Sequence, residues 1–569
     1  MSQTTKVKHP KGLWVLFLTE MWERFGYYLM LGIFSLYMID SVENGGMGFS
    51  GVKKSDVYGT YIGLVYLTPF IGGLLADRLL GYRRSIFLGG SLMALGYIGL
   101  SLPGETIFYI SLLLIILGNG FFKPNISTLV GNLYNDDRYR ENKDAGYNIF
   151  YMGINVGAFI CNFVAAYMRI NYGWGWAFAV AGIGMIIGLI IFATGTKHIR
   201  HADVLKPTKP GDIGTGNILA AVLLPMFGFG VLGYIIPGNL FGTDTNDAFI
   251  FGCLPVIAFF IYLMFKSDKE DRGPIAALLS VYACIVIFWA VFHQNGDALT
   301  VWAEEYSDRE MQSSVANVAE TVGMAQTVNF HPSVEMNDEE FKSYIGGLAA
   351  QKDSLTAAGN TEAAKALSDE IKIRTDSHKY FENLPAADKP VPGGDLKLYS
   401  TELYQSINPF WVVVLTPVVV GIFGFMRRRG KEPTTPTKIA IGLVITALSA
   451  LVMVAAVKST NLDNDKASSM WLIASYGVIT IGELCLSPMG LSLVSKLSPP
   501  RLTALMMGGF FLSTSFGNKL AGILSSNFET TDDKGGFFFT NFILVMIAAV
   551  MLFLLLKWLN RIMREKGVS

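Results

Sequence analysis

The sequence predicts an all-α polytopic membrane protein, and three observations carry that prediction. Of 569 residues, 51% are hydrophobic and 16% are charged, against about 25% charged in an ordinary soluble chain. Mean hydropathy is +0.41. Apolar runs of about twenty residues, enough to cross the hydrocarbon as one helix, recur along nearly the whole chain. The formal net charge is zero, which leaves no basic footprint for nucleic acid. Cys161, Cys253, Cys284 and Cys485 all lie in apolar segments. They read as small core residues, not as a disulfide framework or a metal site.

In chain order, residues 13–39 form the first span. The polar stretch before it lacks the pattern of a cleavable signal, so this helix is expected to stay in the membrane. A glycine-rich loop, 40–55, precedes spans at 56–76, 85–102, 107–133, 145–170 and 174–196. Residues 1–196 thus make an N-terminal six-helix bundle. Residues 197–273 hold a basic linker broken by Pro and Gly, then two extra spans, 217–237 and 246–266, almost free of charge. A C-terminal six-helix bundle follows in two pieces, 274–302 and 402–569, with spans at 274–302, 402–426, 438–457, 468–494, 502–526 and 536–559. Six, two and six give 14 transmembrane helices. Between the two pieces lies an insertion, 303–401. It has no cysteine and few large apolar residues, and its stretch 338–382 has weak helical spacing. A small helical piece of marginal or partly disordered structure is expected. Alternate turns carry Arg78, Arg83, Arg84, Arg138, Arg140, Arg427, Arg428, Arg429, Lys431 and Arg501, while the opposite turns carry little beyond Lys53, Lys54, Lys466 and Lys534. The positive-inside rule then puts both termini in the cytoplasm and the insertion outside.

The stretch Glu20-Met21-Trp22-Glu23-Arg24-Phe25-Gly26-Tyr27-Tyr28 stands in the middle of the first span. At 100° per residue, Glu20, Glu23, Arg24, Tyr27 and Leu31 share one helix face. A charged residue at mid-membrane costs roughly 2.5–3.5 kcal/mol on insertion scales. Two acids and a base must therefore line a wet cavity or pair with one another, as a substrate or proton site or as a helix-packing ion pair. Lys123, followed by Pro124, is a further buried cation, and Glu483 a buried acid in the other half. Asn155 and Asn408 offer both donor and acceptor, as a ligand amide or a helix–helix contact would require. Tyr27, Tyr28 and Tyr66 make amphipathic walls. Trp289 and Trp411 are weaker candidates, because indoles on such helices are often core or interfacial anchors.

The opening stretch reads E-x-x-E-R-F-x-Y-Y, which resembles the helix 1 signature of the proton-dependent oligopeptide transporter family. Further stretches agree. Residues 73–84, Gly-Leu-Leu-Ala-Asp-Arg-Leu-Leu-Gly-Tyr-Arg-Arg, look like the cytoplasmic loop motif of the major facilitator superfamily. Gly118-Asn119-Gly120-Phe121-Phe122-Lys123-Pro124-Asn125 and Phe150-Tyr151-Met152-Gly153-Ile154-Asn155-Val156-Gly157 resemble the family's helix 4 and helix 5 motifs. Ser406-Ile407-Asn408-Pro409, residues 482–488 around Glu483, and Gly517-Asn518-Lys519-Leu520-Ala521-Gly522 are similar to its second half. The resemblance covers everything except the insertion. It implies two six-helix bundles around a central cavity, with the two extra helices of bacterial di- and tripeptide permeases, and it implies no cofactor. It also implies proton coupling at Glu20, Glu23, Arg24, Lys123 and Glu483. Peptide binding is implied at Arg24, Tyr27, Tyr28, Tyr66, Lys123, Asn155, Trp289, Asn408 and Glu483, with Glu483 meeting the peptide's α-ammonium and the cations its carboxylate.

Three positions depart from the family pattern. Leu31 stands where many members have an arginine, and His293 where many have an acid, so both halves of an outer-gate ion pair are missing together. Phe510 replaces a common tryptophan. His293 is expected either to act as a pH-responsive gate against Leu31 or to be a polar packing residue. The function read from the sequence is a proton-coupled importer of short peptides in the inner membrane. The alternatives are a related transporter of another anion or amino acid, or, from another class, a sensor or assembly protein using the insertion. No metal cluster or nucleophile constellation suggests an enzyme.

Overall fold

The computed structural model describes residues 9–139, 143–204, 215–384, 387–499 and 502–566. Arg140 and Arg501, counted above in the charge asymmetry, lie outside the described residues, as do 1–8 and 205–214 of the basic linker.

The first six long helices are α1 (Lys11–Ile39), α2 (Gly51–Leu75), α3 (Tyr82–Leu100), α4 (Glu105–Leu133), α5 (Lys143–Tyr172) and α6 (Trp174–Gly195). One buried apolar cluster joins them, with Phe34, Tyr61, Phe122, Phe178 and Met185 among its members. A side chain at Gly157 would run into the Met21 carbonyl, so this glycine lets α5 lie directly on the charged turn of α1. Two helices follow, α7 (Thr215–Ile235) and α8 (Asp244–Lys266), packed on each other.

The span expected at 274–302 is not one helix. It consists of α9 (Lys269–Phe292), a 3₁₀ turn at His293–Gly296, and a short α10 (Ala298–Glu305). Carbonyls released by such a break must find donors inside the membrane, and side chains supply them. Tyr58 donates to the His293 carbonyl at 3.2 Å, Ser35 to that of Gly296 at 2.8 Å, and Gln405 to that of Asn295 at 2.6 Å.

The insertion holds α11 (Ser313–Thr321), α12 (Asp338–Ala357) and α13 (Thr361–Phe381), with β2 (Gln326–Asn329) antiparallel to β3 (Asp395–Leu398). At its start a two-residue strand, β1 (Ser307–Asp308), pairs in parallel with β4 (Ala467–Ser468). The remaining helices are α14 (Ile407–Arg428), α15 (Thr435–Ser459), α16 (Ser469–Leu497), α17 (Thr503–Thr530) and α18 (Lys534–Glu565). A second core joins α9, α15, α16, α17 and α18. Among the described residues, fourteen long helices thus lie outside the insertion. Nine described segments are long and apolar enough to cross a membrane by length and composition.

The insertion is more ordered than its composition suggests. Val328, Val334, Tyr380, Phe381 and Leu398 make one small core, and Phe341, Ile345 and Ile371 another. A reciprocal capping box, Asn337 with Glu340, starts α12. The insertion also leans on the helices. Lys466 donates to the Glu305 carbonyl at 2.6 Å. On the other side, Lys372 donates to the carbonyls of Arg169 and Ile170 at 2.8 and 2.6 Å, at the C-terminal end of α5. Burial and the charge of Arg169 push the Lys372 ammonium down to about 8.

Candidate functional site

A cavity lies between the first six helices and the later ones. Tyr27, Tyr28 and Leu31 of α1, Tyr66 of α2 and Asn155 of α5 line one side; Trp289, His293, Asn408 and Glu483 line the other. Hydrogen bonds and ion pairs between the two halves gather at the face that carries the insertion. There Arg169 of α5 pairs with Glu402 and donates to Ser400 Oγ at 2.9 Å. Deeper in, at the middle of α2 and α17, Asn518 donates to the Ile62 carbonyl at 3.1 Å and Ser515 to that of Gly63 at 2.7 Å. Toward the opposite face no such bond is found among the described residues, and there Tyr151, on the cavity wall, is 54% exposed.

The charged turn of α1 does not itself line the cavity. Glu20, Glu23 and Arg24 are buried and joined to one another. The Arg24 guanidinium holds both oxygens of Glu23, one of them at 2.7 Å, and reaches Glu20 Oε1 at 3.3 Å. Glu20 Oε2 is buried without a partner. Lys123 makes no ion pair with either acid within 4 Å. Its ammonium sits 4.0 Å from the centre of the Tyr66 ring, and Arg24 lies 5.0 Å from that of Tyr27. Two cations thus lie against the rings of two tyrosines that line the cavity, within the roughly 6 Å at which a ring face attracts a cation.

On the far wall, Glu483 accepts a hydrogen bond from Asn408 Nδ2 at 3.2 Å, and the same amide group reaches Thr480 at 2.9 Å. No cation pairs with Glu483 among the described residues. Asn155 donates to the Tyr151 carbonyl one turn back, at 3.0 Å. Trp289 packs beside His293, ring centres 5.0 Å apart, and its indole N–H is buried without an acceptor. Trp411 turns away, donating to the Ile473 carbonyl at 3.1 Å. Phe510 packs on Tyr282 instead of the cavity. The His293 ring stands between Trp289 and Tyr66, with no carboxylate in ion-pair reach among the described residues. The protonated form required of a gate therefore has no anion beside it.

Several residues were missed in the sequence. Tyr58, Tyr151, Asn162, Asn295 and Gln405 also line the cavity. Tyr151 and Asn162 stand four before and seven after Asn155, on the same helical face, a signal that was there to read. Near the insertion face, Lys54 bridges Asp297 and Glu529, 2.6 Å to each. Lys519 pairs with Asp56 at 2.7 Å. Both bridges join α2 to the second half where the expected outer-gate pair is absent.

The sequence model described as POT family matches residues 83–329 and 397–541. The chain belongs to the POT family. Among similar proteins, this POT-family chain is 28% identical over 564 residues to the Di-/tripeptide transporter of Lactococcus lactis subsp. lactis, covering 97% of this chain and 96% of that one. It is 29% identical over 580 residues to the Peptide transporter YePEPT of Yersinia enterocolitica, with 98% and 96% covered. It is also 29% identical over 559 residues to the Uncharacterized transporter YclF of Bacillus subtilis, with 96% and 94% covered. A crystal structure of peptide transporter POT in complex with sulfate superposes with a TM-score of 0.73 at 27% identity, covering 99% of this chain and 97% of that one. The polytopic, major facilitator type of helical fold expected from the sequence is the one found.

Proposed function

We propose that this chain imports di- and tripeptides together with protons, by alternating access, across a bacterial inner membrane. Both termini would be cytoplasmic and residues 303–401 outside. The supporting observation is the polarity of the cavity. A carboxylate without a cation, Glu483, stands on the second-half wall, and tyrosines backed by Arg24 and Lys123 form the first-half wall. A peptide zwitterion complements both poles. Its α-ammonium supplies the cation that Glu483 lacks, and its carboxylate draws on the two cations through and around the tyrosine rings.

The same geometry supports Glu20 as the proton carrier. One guanidinium serves two acids, and Glu23 has both its oxygens engaged while Glu20 has one oxygen free. Glu20 is the acid that gains by taking up a proton, and the change is passed to Lys123 through the shared field of the cluster. Residues 1–196 and the later bundle act as the two rocking bodies, and the bonds gathered at the insertion face correspond to a state closed to the outside. One proton moving down 100 mV supplies about 2.3 kcal/mol, roughly fiftyfold accumulation.

The test is uptake of labelled dialanine into proteoliposomes under an imposed inward proton gradient. Concentrative uptake that collapses with a protonophore is expected. Accumulation of a free amino acid or an inorganic anion, with none of dialanine, would assign another cargo.

A further inference from the structure

At the insertion-face end of the cavity the wall changes character. Gly32 of α1, Asn162 of α5, Asn295 and Gly296 of the 3₁₀ turn, and Gln405 ahead of α14 meet there. Gly32 keeps this end open: a Cβ would run into Asn162 Oδ1 and lie 3.7 Å from Gln405 Cγ. Two of the three side-chain donors are already used. Gln405 Nε2 donates to the Asn295 carbonyl at 2.6 Å and to Thr300 Oγ1 at 2.5 Å, and Asn162 Nδ2 to Ser406 Oγ at 3.1 Å. The acceptors are not. Asn162 Oδ1 and Asn295 Oδ1 have no donor, although the two residues are 1% and 9% exposed. Among the described residues no lysine or arginine lines the cavity, and Lys54, which reaches Asp297 next to Gly296, is held between two carboxylates.

A buried acceptor without a donor is unfavourable, and a ligand that brings an N–H relieves it. We propose that Asn162, Asn295 and Gln405 form a side-chain subsite selecting hydrogen-bond donors, amide, ammonium or guanidinium, on the first residue of the peptide. The subsite rests on the peptide cargo proposed above. Gln405 stands three residues before Asn408, which contacts Glu483, so it lies one turn from the pole that takes the α-ammonium. The first side chain is therefore the one within reach. A carboxylate side chain would bring acceptors against the two carboxamide oxygens and be disfavoured, with Asn295 Nδ2 the one donor left to it. An aliphatic one would leave both carboxamide oxygens unpaired, and such an unmet polar site discriminates against the analogue that cannot fill it.

Competition against labelled dialanine uptake tests this, with Gln-Ala, Lys-Ala, Leu-Ala and Glu-Ala as competitors. Gln-Ala and Lys-Ala should compete about five- to tenfold better than Leu-Ala, with Glu-Ala weakest. Asn162→Leu should level Gln-Ala with Leu-Ala. Asn162→Asp, and separately Asn295→Asp, should raise the preference for Lys-Ala over Gln-Ala about tenfold, a gain that a merely structural asparagine would not produce. Dialanine transported with a flat ranking in the parent, or aspartate variants with unchanged ratios, would overturn the subsite and leave the peptide reading standing. No dialanine transport at all would remove both.

Discussion

Glu483→Gln separates charge from shape. A glutamine at 483 keeps the size of the side chain, and its Oε1 still accepts from Asn408 Nδ2, now 3.2 Å from the carboxylate. What disappears is a negative charge with no competing cation among the described residues, so the loss falls on the ligand's ammonium. A hydrogen bond to a charged group contributes about 1.5–3 kcal/mol. At 1.36 kcal/mol per factor of ten, binding of a free-amine dipeptide should weaken about ten- to hundredfold. An N-acetylated dipeptide has no ammonium and should change less than about threefold. Equilibrium binding to purified protein, without a gradient, reads both numbers and keeps proton coupling out of the comparison. Equal losses for the two ligands would refute the assignment and make Glu483 a structural or proton-handling group.

Glu20→Gln and Lys123→Ala should each abolish gradient-driven accumulation while sparing counterflow; normal concentrative uptake in either would remove the proton assignment. His293→Gln should give a pH profile of uptake that overlays the parent's between about pH 5.5 and 7.5, because the ring is packed between Trp289 and Tyr66 without an anion; lost acid activation would restore it as a gate. Lys372 falls from its usual 10.5 to about 8 when docked, so the docked form binds fewer protons than the undocked one across that interval. Docking of the insertion should therefore strengthen as pH rises from about 8 to 10.5, read as slower hydrogen exchange in α13, and Lys372→Met should lose that dependence.

The parts legible in the sequence were those in which one helix carries the whole signal. Charged residues at Glu20, Glu23 and Arg24 conflict with the apolar run around them, and tyrosines recur at helical spacing beside them. The break at residues 293–297 was not legible. No proline marks it, and the donors that stabilise it, Ser35, Tyr58 and Gln405, come from elsewhere in the chain. The bridge of Lys54 to Asp297 and Glu529 was hidden for the same reason, its members being 243 and 475 residues apart. The order of the insertion is hard to read from composition because its apolar residues form three small clusters instead of one core. Much of what holds it is contact with backbone carbonyls, which composition does not reveal.

The insertion is an outrigger. It is rooted in the second half through β1, β4 and Lys466, and it rests on the first through Lys372 on two α5 carbonyls and through Asn171, which donates to the Gly323 carbonyl at 2.8 Å. Any tilt that parts the halves at this face must part these contacts too, so their free energy is added to one side of the conformational balance and not the other. A homologue with the same helices and a shorter outrigger would sit at a different point of that balance without a single change in its cavity.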